Sequence, residues 1–163
     1  PHVRHLYTCR FSTIYSLLIY GRIVNNPLDS TSFPLGPQNK PEDEKSITKS
    51  GQVTEQELDQ LRKSCFDCHS NQTRLPWYAK LAPSSWLLSA HINEGKANLN
   101  FSEWEDYSKR EKIGLLEDIK EEVESGKMPL KSYLVIHRNA KLNSEEISSL
   151  SKWTVEATTR ILQ

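Results

Sequence analysis

Cys65-Phe66-Asp67-Cys68-His69 is the stretch of this chain whose residue types and spacing could do chemistry. C-x-x-C-H suits covalent attachment of a c-type haem. Two thiols on one helical turn can each form a thioether to a haem vinyl group, and the adjacent imidazole becomes the first axial ligand of the iron. With three Cys and five His in 163 residues, chance yields such a string roughly once in several hundred such chains. A thioredoxin-like C-x-x-C wants a βαβ context, which the surrounding pattern lacks. A structural zinc site wants four ligands, usually with a second close pair; here Cys9 lies far upstream, and His91 and His137 are scattered. A Cys65–Cys68 disulfide would leave His69 without a role.

A six-coordinate iron needs a second axial ligand. Met128 is the only methionine. It follows Gly126-Lys127 at an expected helix end and precedes Pro129, a position where a side chain can be aimed, and a thioether ligand raises the potential. His91, on the face of an expected helix, is the rival and would lower the potential; His137 is a weaker one. His2 and His5 fall in a doubtful N-terminal extension. Trp77 and Trp86 are aromatic candidates for the haem edge, where an indole donor could reach a propionate, and Arg74 is a third such donor. Core packing is the plainer role for these rings and for Tyr78, Trp104, Tyr133 and Trp153.

The elements that must position these groups read as helices, without strand alternation or repeats. Thr54 and Glu57 form a capping box that opens a helix whose stripe, Leu58, Leu61, Cys65 and Cys68, carries both thiols. A loop over 70–82 leads to a second helix from Pro83-Ser84-Ser85, with Trp86, Leu87, Ala90 and His91 on one side and Gly95 as its stop. Ser102/Glu105 and Ser108/Glu111 read as two more capping boxes. The second opens a long helix with Ile113, Leu116, Ile119 and Val123 on one face and Gly126 at its end. The last helix opens at Asn143, with Glu146 three residues on and Leu142 set to staple against Ile147. Its stripe runs Ile147, Leu150, Trp153, Ala157, Ile161. The expected fold class is all-α, a helical domain wrapped around one covalent haem, with an irregular N-terminal extension.

Composition agrees with a soluble, fairly polar domain: 36% apolar, 26% charged and formally neutral. No bulk field points to nucleic acid as a partner. The chain divides by pattern into an extension (1–24), a Pro-rich linker (25–52) and the haem-binding domain (53–163). In the extension, 11–24 is apolar but interrupted, and shorter than the ~20 residues a membrane-spanning helix needs. Basic Arg4, His5 and Arg10 precede it and no clear cleavage site follows. It fits an export-signal remnant or a membrane-proximal anchor as well as an ordinary appendage. No apolar run precedes Cys9, which weighs against lipid attachment there. Covalent haem attachment in bacteria takes place outside the cytoplasmic membrane, so the expected location is periplasmic or outward-facing.

Cys65-x-x-Cys68-His69-Ser70, Trp77-Tyr78, Ala82-Pro83-x-Ser85-Trp86-Leu87 and His91-x-x-Glu94-Gly95 occur in that order. Leu99-Asn100-Phe101-Ser102-Glu103-Trp104, Met128-Pro129-Leu130-x-x-Tyr133 and His137 follow. Together they resemble the haem-binding domain family of small bacterial monohaem c-type cytochromes, over residues 55–157. The resemblance implies a cytochrome-c-like fold with one haem c on Cys65 and Cys68, His69 as proximal ligand and Met128 as distal ligand. It speaks to cofactor and fold more than to pathway.

The function expected is one-electron transfer without enzymatic turnover, by a soluble carrier or a subunit of a larger membrane-associated redox complex, with redox proteins as partners. Lys80, Lys96, Lys127, Lys131 and Lys141 could steer an acidic partner. A haem-based gas or redox sensor with a displaceable sixth ligand is the alternative. A small peroxidase is a further one; it would need a distal acid–base group, for which His91 is the candidate.

Overall fold

A computed structural model describes residues 39–163. Cys9, His2, His5, the apolar stretch 11–24 and most of the Pro-rich segment lie outside the described residues. The described part is helical, with no strand among its residues. Six α-helices follow one another: α1 (Glu55–Ser64), α2 (Phe66–His69), α3 (Ser84–Asn98), α4 (Lys109–Glu124), α5 (Lys131–Ile136) and α6 (Ser144–Leu162). Short 3-10 turns lie at Ile47–Lys49, Trp77–Lys80, Phe101–Asp106 and Arg138–Ala140. No described helix is long and apolar enough to cross a membrane.

Helix starts follow the capping chemistry of the sequence. The Thr54 N–H donates to the Glu57 carboxylate (3.2 Å) at the head of α1. At α4 the Ser108 N–H donates to Glu111 (2.8 Å) and the Glu111 N–H to Ser108 Oγ (3.3 Å). At α6 the Asn143–Glu146 pair makes the same exchange at 2.9 Å each way. Each box satisfies backbone donors that a helix N-terminus otherwise leaves unpaired.

The core sits where α4 and α6 pack against each other and α1 lies across α6. Leu116, Ile119 and Val123 of α4 meet Leu150, Trp153, Ala157 and Ile161 of α6, with Leu58 and Leu61 of α1, all buried. Phe101 and Trp104 complete it, and Phe101 stacks on Phe66 of α2 with centroids 5.3 Å apart. Lys112 is buried with its ammonium 5.7 Å above the Trp104 ring and paired with Glu105 at 2.5 Å.

Four local expectations are corrected. Residues 39–52, expected as the end of a linker, pack on the domain. Ile47 is fully buried, Glu105 N–H donates to the Lys45 carbonyl (2.9 Å), and Trp153 Nε1 donates to the Gln52 carbonyl (2.9 Å). One well-placed apolar residue outweighs a polar composition. Ser102 does not cap a helix; Asn100 Oδ1 accepts the Ser102 N–H (3.1 Å), and Ser102 Oγ accepts from the Asn71 N–H (2.9 Å). Gly95 does not stop α3, which runs on to Asn98. Nor do Trp86, Leu87 and Ala90 form a packed stripe: all three are exposed, because α3 packs through its C-terminal half, around Ile92 and Gly95.

Candidate haem-binding site

Cys65 is where α1 ends and α2 begins, at φ −122° and ψ −40°. The Cys68 and His69 N–H groups both donate to the Cys65 carbonyl, at 3.1 and 2.9 Å. The two thiols and the imidazole therefore occupy one tight turn at the end of a capped helix. They line a cavity of about 420 Å³ together with His91, Leu99, Phe101, Ile119, Met128 and Tyr133. That volume falls in the range of small-molecule and cofactor sites, roughly 300–1,000 Å³.

His69 is oriented from its far side. Its Nδ1 lies 3.1 Å from the Leu99 carbonyl oxygen, just past the end of α3. A carbonyl only accepts, so Nδ1 carries the proton and Nε2 keeps the lone pair that a metal needs. Burial holds the imidazole below its ordinary pKa, against backbone hydrogen bonds with Leu99 and Gly95 that favour the charged form. The neutral ring, the ligating form, is thereby favoured.

Both thiols are free. Burial, and then the neighbouring Cys68, push the Cys65 thiol up to about 12. Burial and then Asp67 push Cys68 in the same direction. A redox-active C-x-x-C depends on the opposite shift. Among the described residues no three His, Cys, Asp or Glu side chains gather as they would around a bare metal ion. Two thiols, a held neutral imidazole, a thioether side chain and apolar walls on one cavity do fit a haem.

Gly95 brings α3 to this turn. A Cβ at that position would stand 2.7 Å from the Cys68 carbonyl oxygen and 3.2 Å from Cys68 Cβ. Only glycine permits the approach that sets Leu99 over His69.

A family model described as "Haem-binding domain" matches residues 30–156. The chain belongs to the haem-binding domain family. The match begins ahead of the resemblance at 55–157, in keeping with the packing of 39–52 on the domain. Searches of curated proteins and of solved structures return no match. The domain's cofactor is haem, and its fold is all-α.

Within this haem-binding domain, Cys65, Cys68, His69, His91 and Met128 come together on one cavity. Arg74, Trp77 and Trp86 do not line it. Arg74 grips Asp67 instead: its Nε donates to Oδ1 (3.0 Å) and a terminal nitrogen to Oδ2 (3.2 Å). Trp77 and Trp86 are 77% and 57% exposed. His137 is taken up by Tyr78, whose hydroxyl lies 2.7 Å from Nε2, and by the Tyr133 ring stacked on it at 4.3 Å. Sequence reasoning missed Asp67 and Leu99. An acid between the two cysteines was a readable signal; a backbone carbonyl leaves none.

Proposed function

We propose that the domain is a monohaem c-type cytochrome, with haem c held covalently by Cys65 and Cys68 and ligated by His69 and Met128, acting in one-electron transfer rather than in enzymatic turnover. The observation that carries this reading is the meeting of both thiols, the imidazole and the lone methionine on one cavity. When bound, haem supplies exchange of a single electron between ferric and ferrous iron. The chain's own part is to hold His69 neutral through Leu99, to present the thioether of Met128, and to keep water from the macrocycle with Leu99, Phe101, Leu115 and Ile119. Two fixed protein ligands leave little rearrangement between the redox states, which suits a carrier.

Redox proteins are the partners this reading requires, free or within a membrane-associated complex. Leu75, Trp77, Leu81, Trp86 and Leu87 are all exposed within thirteen consecutive residues, apolar surface that a protein partner could cover. Covalent haem attachment implies a periplasmic or outward-facing location. His91 lines the same cavity. That favours one second reading, a centre whose sixth ligand is His91 or is displaceable, as in a sensor or small peroxidase.

Spectra separate these. A pyridine haemochrome of c type is expected, lost when Cys65 and Cys68 are both replaced by alanine. The near-infrared charge-transfer band of Met–iron ligation is expected in the oxidised protein, to vanish in Met128→Ala and persist in His91→Ala. The reverse pattern would transfer the sixth position to His91. Rapid carbon monoxide binding by the reduced native protein would favour a sensor.

A further inference from the structure

Met128 sits on a segment that the core does not hold. From Lys127 to His137 no residue is buried, α5 included. Its roots are firm: the Lys127 and Met128 N–H groups both donate to the Glu122 carbonyl (3.0 Å each), and beyond its far end Ser64 Oγ donates to the carbonyl of buried Ala140 (2.8 Å). Between those roots, among the described residues, two side-chain hydrogen bonds tie the strap to the rest of the domain. Tyr133 donates its hydroxyl to Asp67 Oδ2 at 2.7 Å, and Tyr78 pairs with His137 at 2.7 Å.

Asp67 is the group between the two cysteines, so the first tie runs directly from the Met128 strap to the turn that carries His69. It is braced from behind. Asp67 Oδ1 accepts from the Arg74 N–H (3.1 Å) and Nε (3.0 Å), while Arg74 also donates to the Arg62 carbonyl at 3.1 Å, near the end of α1. The Tyr133 ring is held nearly parallel to His137, 11° between planes. Tyr133 lies five residues beyond Met128, with Pro129 and the first turn of α5 between them.

We propose that Asp67 and Tyr133 form a clasp that sets how firmly Met128 occupies the sixth position. Both are positioning residues acting through Met128, and the proposal rests on the Met128 ligation reading above. Without a buried residue in the strap, the hydroxyl–carboxylate bond adds to the Glu122 carbonyl's hold on the Met128 N–H in keeping the Met128 side chain over the cavity. The clasp ties the two halves of the ligand set together, since the same short turn presents His69 and anchors the strap that carries Met128.

The test is carbon monoxide binding to the reduced holoprotein, whose rate reports how often Met128 leaves the iron, read beside the near-infrared band of the oxidised form. Tyr133→Phe removes one oxygen and keeps the ring on His137. A hydrogen bond to a charged group corresponds to about a tenfold change or more. Tyr133→Phe is therefore expected to speed carbon monoxide binding about tenfold and to weaken the band, with Met128→Ala faster still. Native rates and an intact band in Tyr133→Phe, with Met128→Ala clearly altered, would overturn the clasp and leave Met ligation standing. An unaltered Met128→Ala spectrum would overturn both, starting with the ligation reading. Should Tyr133→Phe load haem poorly, amide exchange at Leu134 and His137 in its loaded fraction, set beside the loaded native protein, reads the same tie: faster exchange in the variant supports the clasp, and equal exchange refutes it.

Discussion

The α4–α6 pair and the strap from Lys127 to His137 are built on different principles. The pair buries a continuous apolar stripe: Leu116, Leu150, Trp153 and Ala157 are each at most 2% exposed, and both helices open on capping boxes. The strap has no fully buried residue, exposes Val135 and Ile136 at 71% and 62%, and is tied by side-chain hydrogen bonds. One region is stable through area removed from water; the other is placed through polar contacts. The cavity is lined by α4 on one side and by the strap on another, so one wall rests on the buried core and one on polar ties. This division suits a cofactor that must be admitted and then gripped. Local stability follows apolar contact, and the least packed segments open first.

The contrast can be broken most forcefully in the core. Trp104→Ala, at a fully buried ring, should cost about 3–5 kcal/mol in urea unfolding. A smaller loss would mean that Phe101 and Lys112 close over the gap. The junction between the regions comes next. Gly95→Ala must push on the Cys68 carbonyl and should cost about 1–3 kcal/mol, the range of overpacked sites. It should also reduce the yield of loaded protein. Gly114→Ala is its control: it lies in α4 with nothing within 4 Å of the added Cβ and should stabilise by about 0.5–1 kcal/mol. Equal behaviour of the two glycines would remove close approach as the reason for Gly95.

A smaller effect concerns the bond between α1 and α6. The Lys63 ammonium donates to Glu146. This bond, aided by the Asn143 backbone, holds the Glu146 carboxyl below its ordinary value of 4.5. A depressed folded pKa means that the stabilisation is complete above the unfolded value and is lost as pH falls through the folded one. Glu146→Gln should cost about 0.5–1 kcal/mol at neutral pH and little at low pH, so the acid limb of a stability–pH curve flattens. A cost that persists below the folded pKa would assign the loss to helix capping. The smallest effect belongs to the strap: Val135→Ala should stay within about 0.5 kcal/mol. A core-sized loss there would show that the strap is packed after all.

Much of the architecture was legible because its causes are local. The boxes at Thr54, Ser108 and Asn143 are side chains capping their own backbone three residues away, and each appears as read. Gly126 ends α4 with φ +68°, a conformation glycine tolerates best. The same reasoning failed where one motif admits two geometries. Gly95 looked like a helix stop and is a packing gap; Ser102 looked like a cap and is an acceptor for Asn71. Trp86, read on a helical stripe with Leu87 and Ala90, is exposed, since periodicity marks a stripe without saying what covers it.

The sequence by itself determined the haem-binding family and the helical class, and it named the turn at 65–69 and Met128 or His91 as the candidate haem contacts, because spacing along one turn and the inventory of donors are properties of the chain alone. Only the tertiary structure decided that Leu99 orients His69, that Arg74 serves Asp67, that Ile47 belongs to the core, and that Tyr133 ties the Met128 strap to the cysteine turn. Each of these joins residues from 7 to more than 60 positions apart. A contact between separate elements depends on the path the backbone takes to bury its apolar stripes, and no local pattern encodes that path.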